Sequence, residues 1–368
     1  MNRFRFVGKL GLNPADSKMP YKREGVTSNG DKYVSFSCLS KPEKNNTAFC
    51  EVYGTVTDKI NTIDVNGNKI TIPWDQRSDD SWLKTVAFFK QRVIKFNGEK
   101  HTFITDYDFG KYLCNNASLI KDKNFIIMGQ ISANEYKGDI SQKFSITSMY
   151  EVENDEKPGF EVDFDYTWRA SSIDIEDWGE NKTININGYI NQYINSTIKN
   201  KYILRPVIFD ASKLDFTDDS HVEALNMKLK QIGLEYTNGT IKSKIKKDAV
   251  CKLPIRCRMI NGAEQIEFDE SQLSENQKKM IACGLMSLED FKPKGTIYGE
   301  RKTTYKLFGF DLRDDYADGY VIIKDIAADE FDELIYTPTK TSDKKESKAT
   351  TESKPTSDNG VDLDDLFN

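Results

Sequence analysis

Tyrosines and tryptophans stand close to lysines and arginines at several places in this sequence. A planar aromatic side chain can stack on a nucleobase, and a nearby cation can hold a phosphate of the same strand. The residues that fit this chemistry are Tyr21, Lys22, Arg23, Tyr33, Tyr53, Trp74, Arg77, Tyr136, Lys137, Trp168 and Arg169. Because every base has a flat face, such a set would bind single-stranded nucleic acid without reading its sequence. The same residues could also be parts of a core or an ordinary surface, which depends on the elements that carry them.

Three β-strands are predicted early in the chain by apolar and polar residues that alternate with period two. They span Arg3–Leu10, Lys32–Leu39 and Ala48–Val56. Tyr33 and Tyr53 are out of phase with the apolar positions of the last two strands, Val34, Phe36, Val52 and Val56. We therefore expect both tyrosines on the outer face of the sheet.

A long polar loop, Asn13–Asp31, is predicted between the first two strands, and it carries Tyr21, Lys22 and Arg23. A hairpin follows, with strands over Asn61–Val65 and Lys69–Trp74, because Asn66-Gly67 suits a tight turn with positive φ. Capping groups at residues 79–81 and apolar residues at helical spacing predict a helix over Trp82–Ile94 that packs on the sheet through Phe89. Phe125–Ile131 and Lys143–Val152 are the last strands predicted in this half.

One short pattern recurs, with a glycine flanked two residues away on each side by apolar residues. It occurs at Gly8, Gly54, Gly129 and Gly188. A glycine inside a strand usually marks a bulge or sharp bend, which small closed barrels need where their strands coil. The pattern therefore favours barrels over open sheets.

The second half is also predicted to be rich in β-strands, after a junction at residues 156–159. The predicted strands are Thr183–Ile190, Tyr202–Asp210, Val250–Met259, Thr303–Leu312 and Gly319–Lys324, with helices over Ser220–Ile232 and Glu275–Cys283. Ser274 and Gln277 form a capping-box pattern at the start of the second helix.

The predicted fold class is mostly β with a few helices. We expect an OB-like barrel over residues 1–155 and a second β-rich, OB-like domain over residues 156–336. In an OB barrel, ligands bind the face of the second and third strands and the adjoining loops. Tyr33 and Tyr53 are predicted on those two strands.

Charge is unevenly divided between the two halves. The chain has a net charge of −6, but residues 1–150 hold 22 Lys and Arg against 16 Asp and Glu, whereas residues 151–368 hold 30 against 42. A basic half next to an acidic half is a hint of polyanion binding at the basic end, although chance segregation of surface charge gives the same numbers.

Cysteine and histidine usage predicts reduced thiols and no metal or other cofactor. Six cysteines occur without a CxxC pair, and there are only two histidines. No apolar run is long enough for a membrane span or a signal peptide. We expect a cytoplasmic protein, in the host cytoplasm if the chain is viral.

Catalytic signatures are missing from the sequence. It contains no phosphate-binding GxxxxGK[ST] loop, no GxGxxG after a strand, no HExxH and no GxSxG. Pairs of carboxylates such as Asp79-Asp80 and Asp218-Asp219 lie in polar turn or cap contexts. The sequence predicts a binding protein, not an enzyme, but scattered carboxylates could still build a two-metal nuclease.

The chain ends in a segment of different composition. Residues 337–361 are polar and lack apolar periodicity, so we expect a disordered linker. The tip at residues 362–368 then sets apolar side chains among carboxylates. We predict that it binds a partner protein through Asp362, Leu363, Asp364, Asp365, Leu366 and Phe367.

With this tail, the chain resembles the single-stranded-DNA-binding proteins of tailed bacteriophages that infect Firmicutes-type hosts. The stretch Leu273–Gly299, with Met280–Leu285 and the following Ile297–Arg301, is also similar to phage proteins of this kind. In the bacterial single-stranded-DNA-binding proteins that carry such a tail, the last residue is Phe. In this chain Asn368 follows Phe367. The resemblance implies sequence-independent binding of single-stranded DNA in phage replication or recombination, with replication or recombination proteins recruited by the tail. A β-rich phage structural or assembly protein and a nucleic-acid enzyme on an OB scaffold are the alternatives.

Overall fold

A computed structural model describes residues 2–43, 46–136, 139–152, 156–194, 201–266, 273–283, 285–291, 297–312, 314–324 and 326–337. Within these ranges the chain is mostly β, with short helices between strands. None of the helices described there is long and apolar enough to cross a membrane. The predicted linker and tip, from residue 338 onward, lie outside the described residues.

The first half folds into a five-stranded barrel with further strands outside it. Its strands are β1 (Arg3–Gly11), β2 (Lys22–Val26), β3 (Lys32–Glu43), β4 (Asn46–Thr55), β5 (Lys59–Ile63), β6 (Lys69–Pro73), β7 (Arg92–Phe96), β8 (Glu99–Phe103), β9 (Asn124–Tyr136) and β10 (Asp139–Glu151). Its helices are α1 (Asp80–Thr85), α2 (Asp106–Asn115) and α3 (Ala117–Ile120). Hydrogen-bonded pairs close a circuit in the order β1, β3, β4, β10, β9 and back to β1, in which only β4 and β10 are parallel.

The second half repeats this circuit. Its strands are β11 (Gly159–Arg169), β12 (Ile173–Asp174), β13 (Thr183–Gln192), β14 (Lys201–Asp210), β15 (Leu234–Thr237), β16 (Thr240–Ser243), β17 (Val250–Ile266), β18 (Ile297–Phe310) and β19 (Val321–Ile322). Its helices are α4 (Trp178–Asn181), α5 (Asp219–Gln231), α6 (Glu275–Ala282) and α7 (Ala328–Leu334). The barrel closes in the order β11, β13, β14, β18, β17 and back to β11, again with one parallel pair, β14 and β18.

Both circuits have the strand order of the OB fold, a five-stranded Greek-key barrel. In each barrel a helix connects the third strand to the fourth, α2 in the first barrel and α5 in the second. The mostly β fold with OB-like barrels that the sequence predicted is therefore confirmed.

The two barrels are joined through their first strands. β1 pairs antiparallel with β11, from Arg3 opposite Asp163 to Val7 opposite Gly159. Phe6 and Phe160 face each other in this pair, with ring centroids 4.5 Å apart, and both are fully buried. The two cores thus form one continuous hydrophobic cluster.

Two element predictions are wrong in the first barrel. The predicted polar loop at residues 13–31 contains β2, which pairs with β3 along Lys22–Val26. The predicted helix over residues 82–94 stops at Thr85 and is followed by a 3-10 turn at Phe88–Lys90 and by β7. The β-branched residues Val93 and Ile94 are buried in β7, whereas Phe89, predicted to pack inward, is 68% exposed.

The recurring glycines allow close approach of neighbouring chain segments. A Cβ on Gly54 would lie 2.1 Å from the backbone nitrogen of Tyr107 at the start of α2, and one on Gly129 would lie 2.0 Å from the Ser145 carbonyl oxygen. No side chain fits at such distances. Gly54 lets α2 pack directly on β4, and Gly129 lies opposite the irregularity between Ile146 and Ser148 in β10.

Candidate nucleic-acid interface

The outer face of β3 and β4 carries a pair of stacked tyrosines. Tyr33 lies opposite Thr55 and Tyr53 lies opposite Ser35 in the antiparallel pair, so the two rings are diagonal neighbours. Their centroids are 5.5 Å apart and their planes are inclined by 28°. Val34, Phe36 and Val52, on the opposite face, are buried, which agrees with the phase read from the sequence.

The two rings differ in accessibility. Tyr33 is half-buried because its ring lies over Gly25 of β2, where an added Cβ would be only 3.0 Å away. Tyr53 is 46% exposed. Tyr53 therefore offers the more accessible ring for stacking, with Tyr33 supporting it from behind.

A lysine completes this face from the neighbouring strand. Lys143 Nζ on β10 is 5.9 Å from the centroid of the Tyr53 ring and forms an ion pair with Glu51. We call the surface formed by Tyr33, Tyr53 and Lys143 the tyrosine face. Lys143 was not identified as a binding residue in the sequence, because only the parallel β4–β10 pairing brings it beside Tyr53.

Three of the predicted residues lie in β2 or directly before it, at the edge of the first barrel. Tyr21 packs against the core, and Lys22 Nζ is 3.3 Å from Glu24 Oε1. Arg23 is exposed and forms no ion pair with any described residue. Arg23 is thus the more available of the two cations.

Trp74 and Arg77 contact each other and α2. The Arg77 guanidinium lies 4.4 Å from the centroid of the Trp74 ring, and Arg77 Nε donates to Asp108 Oδ2 at 2.8 Å. Tyr107 meets the edge of Trp74 at 5.9 Å between centroids. These contacts fasten the β5–β6 hairpin to α2, and they neutralise the charge that was predicted to meet phosphate.

Trp168 is a correction to the predicted site, and its neighbour Arg169 is ion-paired in the second half of the chain. Trp168 is fully buried in the core of the second barrel, where its ring cannot meet a base. Arg169 Nη2 is 2.7 Å from Asp332 Oδ1 of α7, so its charge is already paired. The predicted pattern of aromatic and basic neighbours was misleading here, because Trp168 points inward from β11.

The remaining predicted residues lie wholly or partly outside the described residues. Tyr136 ends β9, but its side chain and Lys137 are not described. The tail residues from Asp362 to Phe367 are outside the described ranges as well.

A cleft of about 1190 Å³ lies between the two barrels and continues from the tyrosine face. Lys143 and Glu51 line it from the first barrel, and Arg205 and Tyr305 line it from the second. The Tyr305 hydroxyl donates to Gln142 Oε1 across the cleft. Burial raises the pKa of Tyr305 to about 12, so this hydroxyl stays protonated beyond the pH at which an ordinary tyrosine ionises.

A second surface with aromatic and basic residues lies on the other side of the first barrel. Phe88 and Phe89 are 65% and 68% exposed at the mouth of a groove of about 670 Å³. Lys90 Nζ is 5.7 Å from the Phe89 ring centroid, and Arg3 and Arg5 also line the groove. Sequence periodicity placed Phe89 in the core, so this surface was missed.

No metal-binding cluster of three or more His, Cys, Asp or Glu side chains occurs within the described ranges. The buried thiols are not reactive groups either. Burial raises the pKa of Cys114 and of Cys251 to about 12, and it raises the pKa of Cys38 still further.

The comparison with known proteins gives similarity to solved structures alone. No family model and no curated protein matches the chain. The wild-type single-stranded DNA binding protein from Thermus aquaticus is similar at 8% identity, over 71% of this chain and 85% of that chain, with a TM-score of 0.29. A deletion mutant of the same protein is similar at 10% identity, over 71% of this chain and 87% of that chain, with a TM-score of 0.28. The function proposed below rests on the barrel topology and on the residues of its face.

Proposed function

We propose that this protein binds single-stranded DNA without sequence preference and has no catalytic activity of its own. The observation that carries the proposal is the tyrosine face, which occupies the second and third strands of an OB barrel. That surface is where OB folds bind oligonucleotides. The exposed ring of Tyr53 would stack on a base, at about 1–3 kcal/mol per stacked base, and Lys143 would hold an adjacent phosphate.

The excess of basic residues in the first half supports the same proposal. Arg23 extends the positive charge beyond the tyrosine face, and it is not used in an ion pair with a described residue. Lys143 is partly neutralised by Glu51, so a phosphate would compete with this carboxylate for the ammonium group. Phosphate contacts by Arg23 and Lys143 would release counterions from the strand, so binding would weaken as salt increases.

At the biological level, we propose a role in phage replication or recombination. This part of the proposal rests on the acidic-aromatic tip at residues 362–368 and on its resemblance to phage single-stranded-DNA-binding proteins. The tip would recruit replication or recombination proteins to DNA that the barrels cover.

Selectivity for strand and sequence tests the proposed function. The full-length protein should bind oligo(dT), oligo(dC) and a mixed-sequence single strand with affinities within about tenfold of one another, since stacking tolerates every base. A duplex of the mixed sequence should bind far more weakly, because its bases are not available for stacking. Fluorescence titration with each oligomer measures the affinities for the single strands and for the duplex. Equal affinity for the duplex and its single strand would contradict the proposal.

A further inference from the structure

Arg205 is a cation without a counter-ion in the wall of the inter-barrel cleft. It lies on β14, the third strand of the second barrel; the residue is half-buried, and its Nε and Nη2 atoms are fully buried. Its Nη1 donates to the Leu204 carbonyl oxygen at 3.2 Å, but Nε and Nη2 have no hydrogen-bond partner among the described residues. No carboxylate pairs with it among the described residues, although this half of the sequence is acidic overall.

Burying an unpaired charge is costly, so such a group is usually either paired or used to bind a ligand. The chief effect on Arg205 is burial, which lowers its pKa from the ordinary value for an arginine. An arginine side chain remains charged in proteins even so. The cleft therefore holds a positive charge that no described residue balances.

A second unsatisfied donor lies in the same cleft. Gln142 Oε1 accepts a hydrogen bond from the Tyr305 hydroxyl, whereas Gln142 Nε2 has no partner within the described part of the chain. The unsatisfied groups of Arg205 and Gln142 are thus all hydrogen-bond donors. Donors grouped around one cation suit an anion, and a guanidinium can hold two oxygens of one phosphate at once.

We propose that the inter-barrel cleft is a phosphate-binding site, in which Arg205 and Gln142 hold the backbone of a single strand that passes from the tyrosine face to the second barrel. Lys143 lies both on the tyrosine face and in the cleft lining, so the two surfaces are continuous. Arg205 Nε and Nη2 are turned away from solvent, and the guanidinium would rotate toward the phosphate. Side-chain changes of this kind are common at interfaces on binding. This inference rests on the proposed function, but the anion site can be tested without DNA.

The first test measures the stability of the protein without DNA. Arg205→Met keeps much of the side-chain volume and removes the unpaired charge, so it should raise the melting temperature. Arg258→Met is the matched control, because Arg258 is exposed on β17 of the same barrel and lies outside the cleft. The control should leave the melting temperature nearly unchanged. A lower melting temperature for Arg205→Met would show a structural role and overturn the proposal.

The second test uses inorganic tripolyphosphate as the probe. It should raise the melting temperature of the wild type and of Arg258→Met, and this increase should be absent in Arg205→Met. An equal increase in the melting temperature of all three proteins would show that tripolyphosphate binds elsewhere, and it would overturn the proposed site. Because no DNA is present, this result is independent of the proposed function.

The third test measures DNA affinity as a function of the length of the oligonucleotide. With oligo(dT) of about 30 nucleotides, which covers both barrels, Arg205→Met should weaken binding by about 10- to 100-fold. With about 6 nucleotides, which the first barrel alone accommodates, affinity should be unchanged. Unchanged affinity at both lengths, or an equal loss at both, would contradict a site in the cleft. If the wild type bound neither oligomer, the proposed function would fail, and the tripolyphosphate result would still decide the anion site.

Discussion

Tyr53 and Trp168 show how burial separates a possible ligand contact from a core residue. Both are aromatic residues in β-strands of an OB barrel. Tyr53 is 46% exposed and stacks on Tyr33, whereas Trp168 is fully buried beside Tyr166, with ring centroids 6.2 Å apart. The first ring is available to a base, and the second stabilises the fold.

Tyr53→Ala should therefore weaken binding of oligo(dT) by about 1–3 kcal/mol, since one stacking partner is lost. The exposed ring contributes little to the core, so the melting temperature should change little. Tyr53→Phe is the matched control, because it keeps the ring and should retain most of the affinity. Fluorescence titration measures binding, and thermal unfolding measures stability. If Tyr53→Ala unfolded at a much lower temperature and bound normally, the ring would be part of the core.

The cysteines give a prediction about pH. Among the six, only Cys283 is exposed, and burial raises the pKa of Cys114 and Cys251 to about 12. Thiolates react with disulfide reagents, and thiols do not. In the native protein one thiol should react rapidly with 5,5′-dithiobis(2-nitrobenzoic acid) between about pH 7 and pH 9, and all six should react after denaturation. Rapid reaction of several thiols in the native protein would contradict this packing.

At the scale of elements, the strands, turns and helix ends that depend on local sequence patterns were predicted correctly. Alternation located β1, β3 and β4, Asn66-Gly67 located the β5–β6 turn, where Gly67 has a φ of +88°, and Ser274 with Gln277 located the start of α6. These features depend on neighbours in the sequence. They could be predicted because no distant contact changes them.

Other elements were not predicted, because they depend on long-range contacts or because their sequence pattern was overlooked. β7 forms because it pairs with β8 and β10, although residues 82–94 also have helical spacing. β11 was missed, yet its buried residues Phe160, Val162, Phe164, Tyr166 and Trp168 alternate with partly exposed ones, apart from the buried Thr167. That alternation would have placed Trp168 in the core. The positions of Lys143 and Arg205 follow from the parallel pairs that close the barrels, which sequence patterns do not show.

The parallel closure of the second barrel gives a prediction at this scale. Lys306 Nζ on β18 is 2.9 Å from Asp210 Oδ2 on β14. Hydrogen bonds from Lys306 and then from Ser212 lower the pKa of Asp210 from 3.8 to about 2. The ionised form is favoured in the folded state, so this contribution is complete above about pH 4 and is lost as the pH falls toward 2.

Asp210→Asn should therefore lower the free energy of unfolding by about 1 kcal/mol at pH 7, a value limited by the exposure of the pair. The difference from the wild type should shrink as the pH falls from 4 toward 2. Chemical denaturation at several pH values measures this difference in the free energy of unfolding. A difference that stayed constant over this range would show that the ion pair is not its cause.

At the scale of the whole molecule, the chain leaves the second barrel beside the inter-barrel cleft. Phe331 of α7 is fully buried against the rings of Tyr189 and Tyr202. Tyr336 then packs with Ile140 and Ala133 of the first barrel. The tail is thus attached close to the surface that we propose for DNA.

Deleting residues 361–368 should raise the affinity for oligo(dT) modestly at low salt, because three carboxylates no longer compete with phosphates. It should also abolish recovery of replication or recombination proteins by the immobilised protein from infected-cell lysate. Replacing Leu363, Leu366 and Phe367 by serine keeps the charge, so it should abolish recovery without changing affinity. A deletion that left both affinity and recovered partners unchanged would indicate a tail without a target.

In the proposed function, the barrels hold single-stranded DNA by base stacking and phosphate contacts. Titration of the full-length protein with oligo(dT) at several salt concentrations between about 50 and 200 mM tests it most directly. Each phosphate contact releases counterions, so log affinity should fall linearly with log salt, with a slope of about −0.7 per contact. We predict a slope that corresponds to several phosphate contacts. We also predict a residual affinity at high salt, because base stacking does not depend on counterion release. Absence of binding, or an affinity that does not change with salt, would contradict the account.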